Sequence, residues 1–240
     1  MLRDQYERIP PGGKKKMLAW LEKLGGTLEN PPPAALEYFQ KSAFQGIYAY
    51  FAKYVPGEGI EELPPGTGRL LPAHAKLTFQ MHYTTNGVAT TDRPRLGIYF
   101  APTKPEKELT VTAATNFQFV LPAGARDFHV QAERIFDHPF RLYSVAPHMH
   151  YRGRSMRYTA LLPDGTRQVL MSLPEYLFDW QTTYNFAEPL LFPAGTRLLC
   201  EGTFDNSRWN EHNPDPAADV KFGPRTENEM FVGYAVYTRE

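Results

Sequence analysis

The stretch FRLYSVAPHMHYRG, residues 140–153, joins an alternating run of side chains to two histidines that lie two positions apart. Alternation over Phe140–Val145 is typical of a β-strand with one buried face. Side chains i and i+2 of a strand project to the same side, about 7 Å apart, so His148 and His150 are placed to converge on one metal ion. Two histidines on the solvent face of a sheet are the alternative interpretation.

Short runs of the same kind fill most of the chain after Pro56-Gly57, and turn signals divide them. The other predicted strands are Lys76–Thr84, Arg95–Ala101, Leu109–Ala114, Asp127–Ala132, Met156–Leu162, Arg167–Ser172, Arg197–Phe204 and Met230–Thr238. The turn signals are Pro122-Ala123-Gly124, Pro163-Asp164-Gly165 and Pro193-Ala194-Gly195. This pattern predicts a mainly β protein with one antiparallel β-sandwich or two in tandem. Of these we expect two tandem antiparallel β-sandwich (jelly-roll-like) domains, at residues 56–135 and 136–240.

The first 55 residues have a different pattern. Apolar side chains recur at helical spacing over residues 13–54, in two groups that are separated by Pro31-Pro32-Pro33. The first group ends at Gly25-Gly26, which is typical of a helix C-terminus. We therefore predict a short helical N-terminal segment at residues 1–55.

Composition excludes several classes of protein. The 26 Lys and Arg residues balance the 26 Asp and Glu residues, so nucleic acid is not an expected partner. Cys200 is the only cysteine, which excludes an intrachain disulfide and a thiolate zinc site. No window approaches ~18 apolar residues, so no transmembrane segment is predicted. The N-terminus lacks the apolar core of a signal peptide, so the protein is cytoplasmic or its leader has been removed.

Two further residues have side chains that bind metals. In Leu77–Tyr83, alternation places His82 on the face opposite the apolar side chains, and a solvated strand histidine is the simpler interpretation. Met230 shares a face with Tyr234 in the last predicted strand, where a methionine is by default core filler. Two imidazoles and a thioether form a soft ligand set that favours copper, particularly Cu(I), over zinc or magnesium. A copper site at His148, His150 and Met230 is therefore a hypothesis that requires the fold to bring them together.

Other polar groups have simpler interpretations. Glu227 and Glu229 are interpreted as ordinary surface charges. The Asx-rich loop at residues 205–219 carries oxygens that suit calcium, but its spacing matches no EF-hand, and turns capped by their own side chains are the alternative. The chain has no GxSxG, HExxH or phosphate-binding glycine motif.

Five segments, in order over roughly residues 55–240, resemble the copper type II, ascorbate-dependent monooxygenases. This is the family of peptidylglycine α-hydroxylating monooxygenase and dopamine β-monooxygenase, and the chain looks closest to its bacterial members. The segments are FQMHYTTNG (79–87), PHMHYRGRSMRY (147–158), FDWQTTY (178–184), FDNSRWNEHNPDP (204–216) and FGPRTENEMFVGYAVY (222–237).

The resemblance implies two β-sandwich domains that each hold one copper ion. His148, His150 and Met230 correspond to the ligands of the ion that binds dioxygen. His82 corresponds to one ligand of the ion that relays electrons. Tyr234 matches a tyrosine that contacts substrate and is the implied catalytic-site residue.

The chain departs from the family at several positions. It has no His-His dipeptide, the motif that supplies the other two ligands of the relay copper. That site is therefore lost, or is rebuilt with His74 or another histidine, or belongs to a longer chain of which this is a truncated version. Ala146 and Val232 replace an arginine and an asparagine of the peptide-amidating members, which disfavours peptide amidation. The family's disulfides are also absent.

Two functions remain as expectations. The first is an oxidoreductase that hydroxylates an aliphatic C–H of a small-molecule or peptide-like substrate, with O2 and a one-electron reductant such as ascorbate. The second is a non-catalytic or degenerate copper-binding β-sandwich module that lacks the electron-transfer copper. The family implies a periplasmic or extracellular location.

Overall fold

The computed structural model describes residues 11–27, 30–32, 50–55, 58–83 and 86–240. The chain divides into two compact units, Met1–Tyr50 and Phe51–Glu240. Among the described residues, no helix is long and apolar enough to cross a membrane.

The first unit contains one described helix, α1, at Pro11–Lys23. Its end is the predicted glycine cap. Gly25 has φ 77°, and the N–H of Gly26 donates to the carbonyl of Leu21 over 3.0 Å, so the last turn is closed by a left-handed residue. The second predicted helical group lies largely in residues 33–49, outside the described residues.

The second unit is mainly β, as predicted, with short strands connected by tight turns. The strands are β1 Thr67–Gly68, β2 Lys107–Glu108, β3 Thr110–Thr115, β4 Val120–Leu121, β5 Phe128–Ile135, β6 Phe140–His148, β7 Gly153–Leu161, β8 Arg167–Leu173, β9 Tyr184–Phe192, β10 Arg197–Phe204, β11 Val220–Lys221 and β12 Val232–Arg239. The glycines of the three predicted turns, Gly124, Gly165 and Gly195, have φ of 69°, 88° and 84°. Glycine adopts this conformation without the steric cost that other residues incur.

Two four-stranded antiparallel sheets form a β-sandwich. One sheet has the order β5-β10-β7-β8 and the other β3-β12-β6-β9. Their facing sides share one core, to which Val145 and Ala235 contribute from one sheet and Tyr158 and Cys200 from the other. The sheets approach closely at Gly233, where an added Cβ would lie 2.3 Å from the sulfur of Cys200. Cys200 is therefore a buried core residue.

Strands from both predicted sandwich domains build these two sheets. β3 and β5, from before residue 136, pair with β12 and β10 respectively. The two tandem domains at residues 56–135 and 136–240 are therefore not confirmed.

Two predicted strands, at residues 76–84 and 95–101, are absent from the described part of the chain. Residues 69–83 and 86–106 contain no strand, and the side chains that alternation placed on a buried face are exposed: Leu77 43%, Phe79 53%, Met81 44% and Tyr83 64%. Alternation specifies a strand only where a partner strand and an apolar surface are available. No described strand pairs with this segment.

The strand β9 is missing from the sequence prediction because Pro189 interrupts its pattern. β9 lies at the edge of its sheet and pairs only with β6. An edge strand tolerates proline, since one side of it needs no ladder hydrogen bonds. The register shifts between Leu142 and Ser144, where Leu190 and Asn185 are the partners on β9.

Candidate metal centre

The register of β6 and β12 places His148 and Tyr234 on neighbouring strands. Val232 pairs with His148, and Tyr234 pairs with Ala146. If this antiparallel register continued two residues past the ends of both strands, Met230 would lie opposite His150. Strand alternation therefore places His148 and Tyr234 on one sheet face, and His150 and Met230 lie two residues beyond the ends of the two strands.

The opposite face of these strands belongs to the core. Val145, Met149 and Phe231 are all buried there. Met230 is also buried, with 7% of its surface exposed, but it lies outside that core cluster. A buried methionine beyond the main core is available for a role other than core packing.

The two imidazoles approach each other edge to face, with ring centroids 5.2 Å apart and planes at 85°. Nδ1 of His148 lies 2.5 Å from Oε1 of Gln181, and Nδ1 of His150 lies 3.0 Å from the carbonyl oxygen of Asn228. The amide of Gln181 is oriented by its own donor, which bonds the carbonyl of Phe178 over 2.8 Å.

An oxygen partner requires a proton on Nδ1, so Nε2 of each neutral ring carries the free lone pair. Most metal-binding histidines in proteins have this arrangement, in which the other ring nitrogen donates to an oxygen. The arrangement therefore fits a metal that is held by Nε2 of His148 and of His150.

Both imidazoles favour the neutral form. Burial, with a further contribution from the charge of His150, lowers the pKa of His148 to about 4. Burial also lowers the pKa of His150, while the hydrogen bond to Asn228 opposes this effect. Neutral imidazole is the form that binds metal ions, so no proton needs to be displaced near neutral pH. With the thioether of Met230, the donor set fits copper, and Cu(I) in particular.

Tyr234 lies beside this pair. Its ring centroid is 6.4 Å from that of His148, and burial raises the pKa of its hydroxyl. The phenol therefore stays protonated near neutral pH. The ring of Phe178 lies 6.2 Å from that of His150, so each histidine has an aromatic neighbour.

Sequence reasoning missed Glu229, whose interpretation as a surface charge was wrong. It is completely buried. Its Oε2 accepts the backbone N–H of His150 over 2.8 Å, and its Oε1 accepts the backbone N–H of Arg152 over 2.6 Å. Burial raises the pKa of Glu229 to about 7, although these two hydrogen bonds and the charge of Arg152 lower it. The sequence does contain a signal for this burial. Glu229 lies two positions before Phe231, so an alternating pattern places both side chains on the core side.

Tyr176 holds the residue between the two histidines. Its hydroxyl donates to the carbonyl of Met149 over 2.6 Å and accepts the N–H of Met149 over 3.1 Å. The turn is also tightly packed, since a Cβ at Gly153 would lie 2.7 Å from the Cβ of Met149. The backbone of the His-Met-His segment is therefore constrained on both sides.

His82 is exposed. Burial is the main cause of the lowered pKa of His148 and His150, and His82 makes only a smaller contribution to it. Within the described residues, no group of three or more His, Cys, Asp or Glu side chains could hold a metal ion. His82 as a ligand of a second copper stays a prediction, as does its completion by His74.

The oxygens of the Asx-rich loop serve its own turns. Oδ1 of Asp205 accepts the N–H of Ser207 over 2.9 Å, and Oδ1 of Asn210 accepts the N–H of His212 over 3.1 Å. Oδ1 of Asp215 accepts the N–H of Ala217 over 3.0 Å. This arrangement favours self-capped turns over a calcium site.

Comparison with known proteins does not assign a family. No family model matches the chain, and no curated protein matches it. A chain from the crystal structure of the T13 IBDV viral particle is similar to this chain at 15% sequence identity and a TM-score of 0.25. The match covers 61% of this chain and 36% of the viral chain. A structure of infectious bursal disease virus Gt strain matches 61% of this chain and 38% of its own, at 14% identity and a TM-score of 0.25. This chain spans less than two fifths of either protein, and a likeness of this degree carries no argument about function.

Proposed function

We propose that the chain is a copper-dependent monooxygenase-like protein that hydroxylates an aliphatic C–H, using O2 and a one-electron reductant such as ascorbate. The observation that supports this most is the pair of neighbouring imidazoles, each with an oxygen partner at Nδ1, at the end of β6 where it pairs with β12, two residues after Met230. The sequence resemblance points to the same three residues. The substrate is a small or peptide-like molecule, and the resemblance favours a periplasmic or extracellular location.

Each residue of the site has a part in this proposal. His148 and His150 hold the copper through Nε2, and the thioether of Met230 is a weak third ligand that favours the reduced ion. Copper supplies the site at which O2 is bound and reduced. Tyr234 lies next to His148 with a protonated hydroxyl, and in this proposal its ring lines the substrate side of the site.

A second candidate function is a copper-binding module without oxygenase activity. It is favoured by the absence of a His-His dipeptide from the sequence and of any three-ligand His, Cys, Asp or Glu group from the described residues. Such a module would bind one copper per chain and could not receive electrons through a second ion.

Copper binding to the purified protein tests the site. We expect one Cu(I) per chain for the parent, and affinity reduced by more than about tenfold in His148→Ala, His150→Ala and Met230→Ala, as expected for the loss of a ligand. His129→Ala and Met81→Ala are matched controls, because His129 has a side chain that is 75% exposed and Met81 is 44% exposed. Parent-like affinity in all three site variants would refute the proposal.

Oxygen consumption then separates the two functions. With copper and ascorbate present, an oxygenase consumes O2 in proportion to the hydroxylated product that forms from a panel of small and peptide-like substrates. The copper-binding module binds the ion and forms no product.

A further inference from the structure

The ladder between β6 and β12 stops just before the candidate metal centre. Its last pair is Val232 with His148, and both His150 and Met230 lie beyond the strand ends. Nothing in a strand ladder therefore holds these two residues at a set separation, although a metal site requires one.

The carboxylate of Glu229 binds the backbone just past the end of this ladder. It accepts the backbone N–H of His150 over 2.8 Å and that of Arg152 over 2.6 Å, and it belongs to the residue directly before Met230. One side chain thus connects the backbone that carries the second histidine to the backbone that carries the methionine. A shift of either segment would break a hydrogen bond in a fully buried place, where an unpaired N–H or oxygen is costly.

The carboxylate is itself held in place. Nη1 of Arg152 lies 4.0 Å from Oε1 of Glu229, and the guanidinium is anchored through Nε to Asn206 over 2.8 Å and through Nη1 to the carbonyl of Glu227 over 3.0 Å. Arg152 is 1% exposed. Removal of one partner from a buried ion pair costs much more free energy of folding than the intact pair contributes, because the other charge is left buried and unpaired. The pair therefore holds the carboxylate in one geometry.

We infer that Glu229 is the positioning residue of the candidate metal centre, and that its carboxylate sets the separation between the imidazole of His150 and the thioether of Met230. The inference rests on the proposed copper site. Glu229 touches neither the metal nor the substrate; it acts through the backbone of its neighbours.

The test compares Glu229→Gln with Glu227→Gln. Both remove one negative charge, but Glu227 is exposed and takes part in the network only through its backbone carbonyl. In Glu229→Gln an amide NH2 replaces one acceptor oxygen and faces a backbone N–H. We expect the affinity for Cu(I) to fall about 10- to 100-fold in this variant, as for other residues that orient metal ligands, and to stay at the parent value in Glu227→Gln.

X-ray absorption of the copper-loaded proteins supplies a readout that a general loss of stability would not change. With the site saturated, Glu229→Gln should retain the scattering from two imidazoles and lose part or all of the sulfur contribution. Parent-like affinity together with a full sulfur contribution in Glu229→Gln would overturn the inference and leave the proposed function intact. If the His148, His150 and Met230 variants show that the parent has no such copper site, both proposals fall.

A second variant covers the case in which Glu229→Gln does not fold. Glu229→Asp keeps the charge but is one methylene shorter and cannot reach both N–H groups from the same backbone position. We expect a folded protein with the same loss of copper affinity. If Glu229→Asp also fails to fold, Glu229 is required for folding rather than for positioning, and the inference is overturned.

Discussion

Acid pH should destabilise the metal-free protein through His148, and His148→Gln should remove this effect. The imidazole has a pKa of about 4 in the fold, against an ordinary value of 6.5. The unfolded chain therefore takes up a proton at a pH where the folded chain does not. The contribution of His148 to stability is complete above pH 6.5 and is lost as the pH falls towards 4.

The structure sets the size of the effect. Stability changes by about 1.4 kcal/mol for each pH unit between the two pKa values, so His148 contributes at most about 3 kcal/mol. Glu229 acts in the opposite direction, because its pKa is raised from 4.5 to about 7. Its carboxyl is more easily protonated in the fold, so its contribution is lost as the pH rises through that range. The two effects partly cancel in the parent protein.

A difference between two proteins isolates His148. Urea unfolding of the parent and of His148→Gln, both with a chelator, gives the free energy of unfolding at each pH between about 4 and 7. The advantage of the parent should grow by about 3 kcal/mol from the acid end to the neutral end. His129→Gln is the control, since this side chain is 75% exposed. The difference in free energy of unfolding between the parent and this control should be the same at every pH. Parallel curves for parent and His148→Gln would refute the assigned burial of this imidazole.

Two substitutions test the packing around the site and between the sheets. Tyr176→Phe removes both hydrogen bonds to the backbone of Met149. We expect the free energy of unfolding in urea to fall by about 1–3 kcal/mol and the amide of Met149 to exchange faster. Unchanged protection of this amide would contradict the role of the hydroxyl. Gly233→Ala places a Cβ 2.3 Å from the sulfur of Cys200 and should cost about 1–3 kcal/mol. Combination with Cys200→Ala should cost less than the sum of the two single changes, and simple additivity would show that the sheets do not meet there.

Local signals account for what the sequence predicts well. The three Pro-x-Gly turns are predicted correctly because a turn depends mainly on the backbone conformation of its own residues. The glycines of these turns, Gly124, Gly165 and Gly195, all have positive φ. The helix cap at Gly25 is of the same kind. Short alternating runs also locate seven of the longer strands, since burial of one face leaves a period of two in the sequence.

The same rule is wrong where the tertiary structure supplies no partner. Residues 76–83 have an alternating pattern but are exposed and irregular. The opposite error occurs at β9, where a proline hides a strand that an edge position tolerates. Strand formation depends on pairing with distant residues, which a local pattern does not contain.

The sequence by itself determined the chemistry of the candidate site, because imidazole and thioether donors are properties of residue types and the i, i+2 spacing aligns His148 with His150. Only the tertiary structure decided that the start of β12, two residues after Met230, pairs with the end of β6 at His148, since this depends on a register across about eighty residues of chain. It also decided that Glu229 is buried beneath the turn and that oxygen partners hold Nδ1 of both rings. A hydrogen bond between residues far apart in the chain leaves no periodic signal, so these features appear only once the strands have paired.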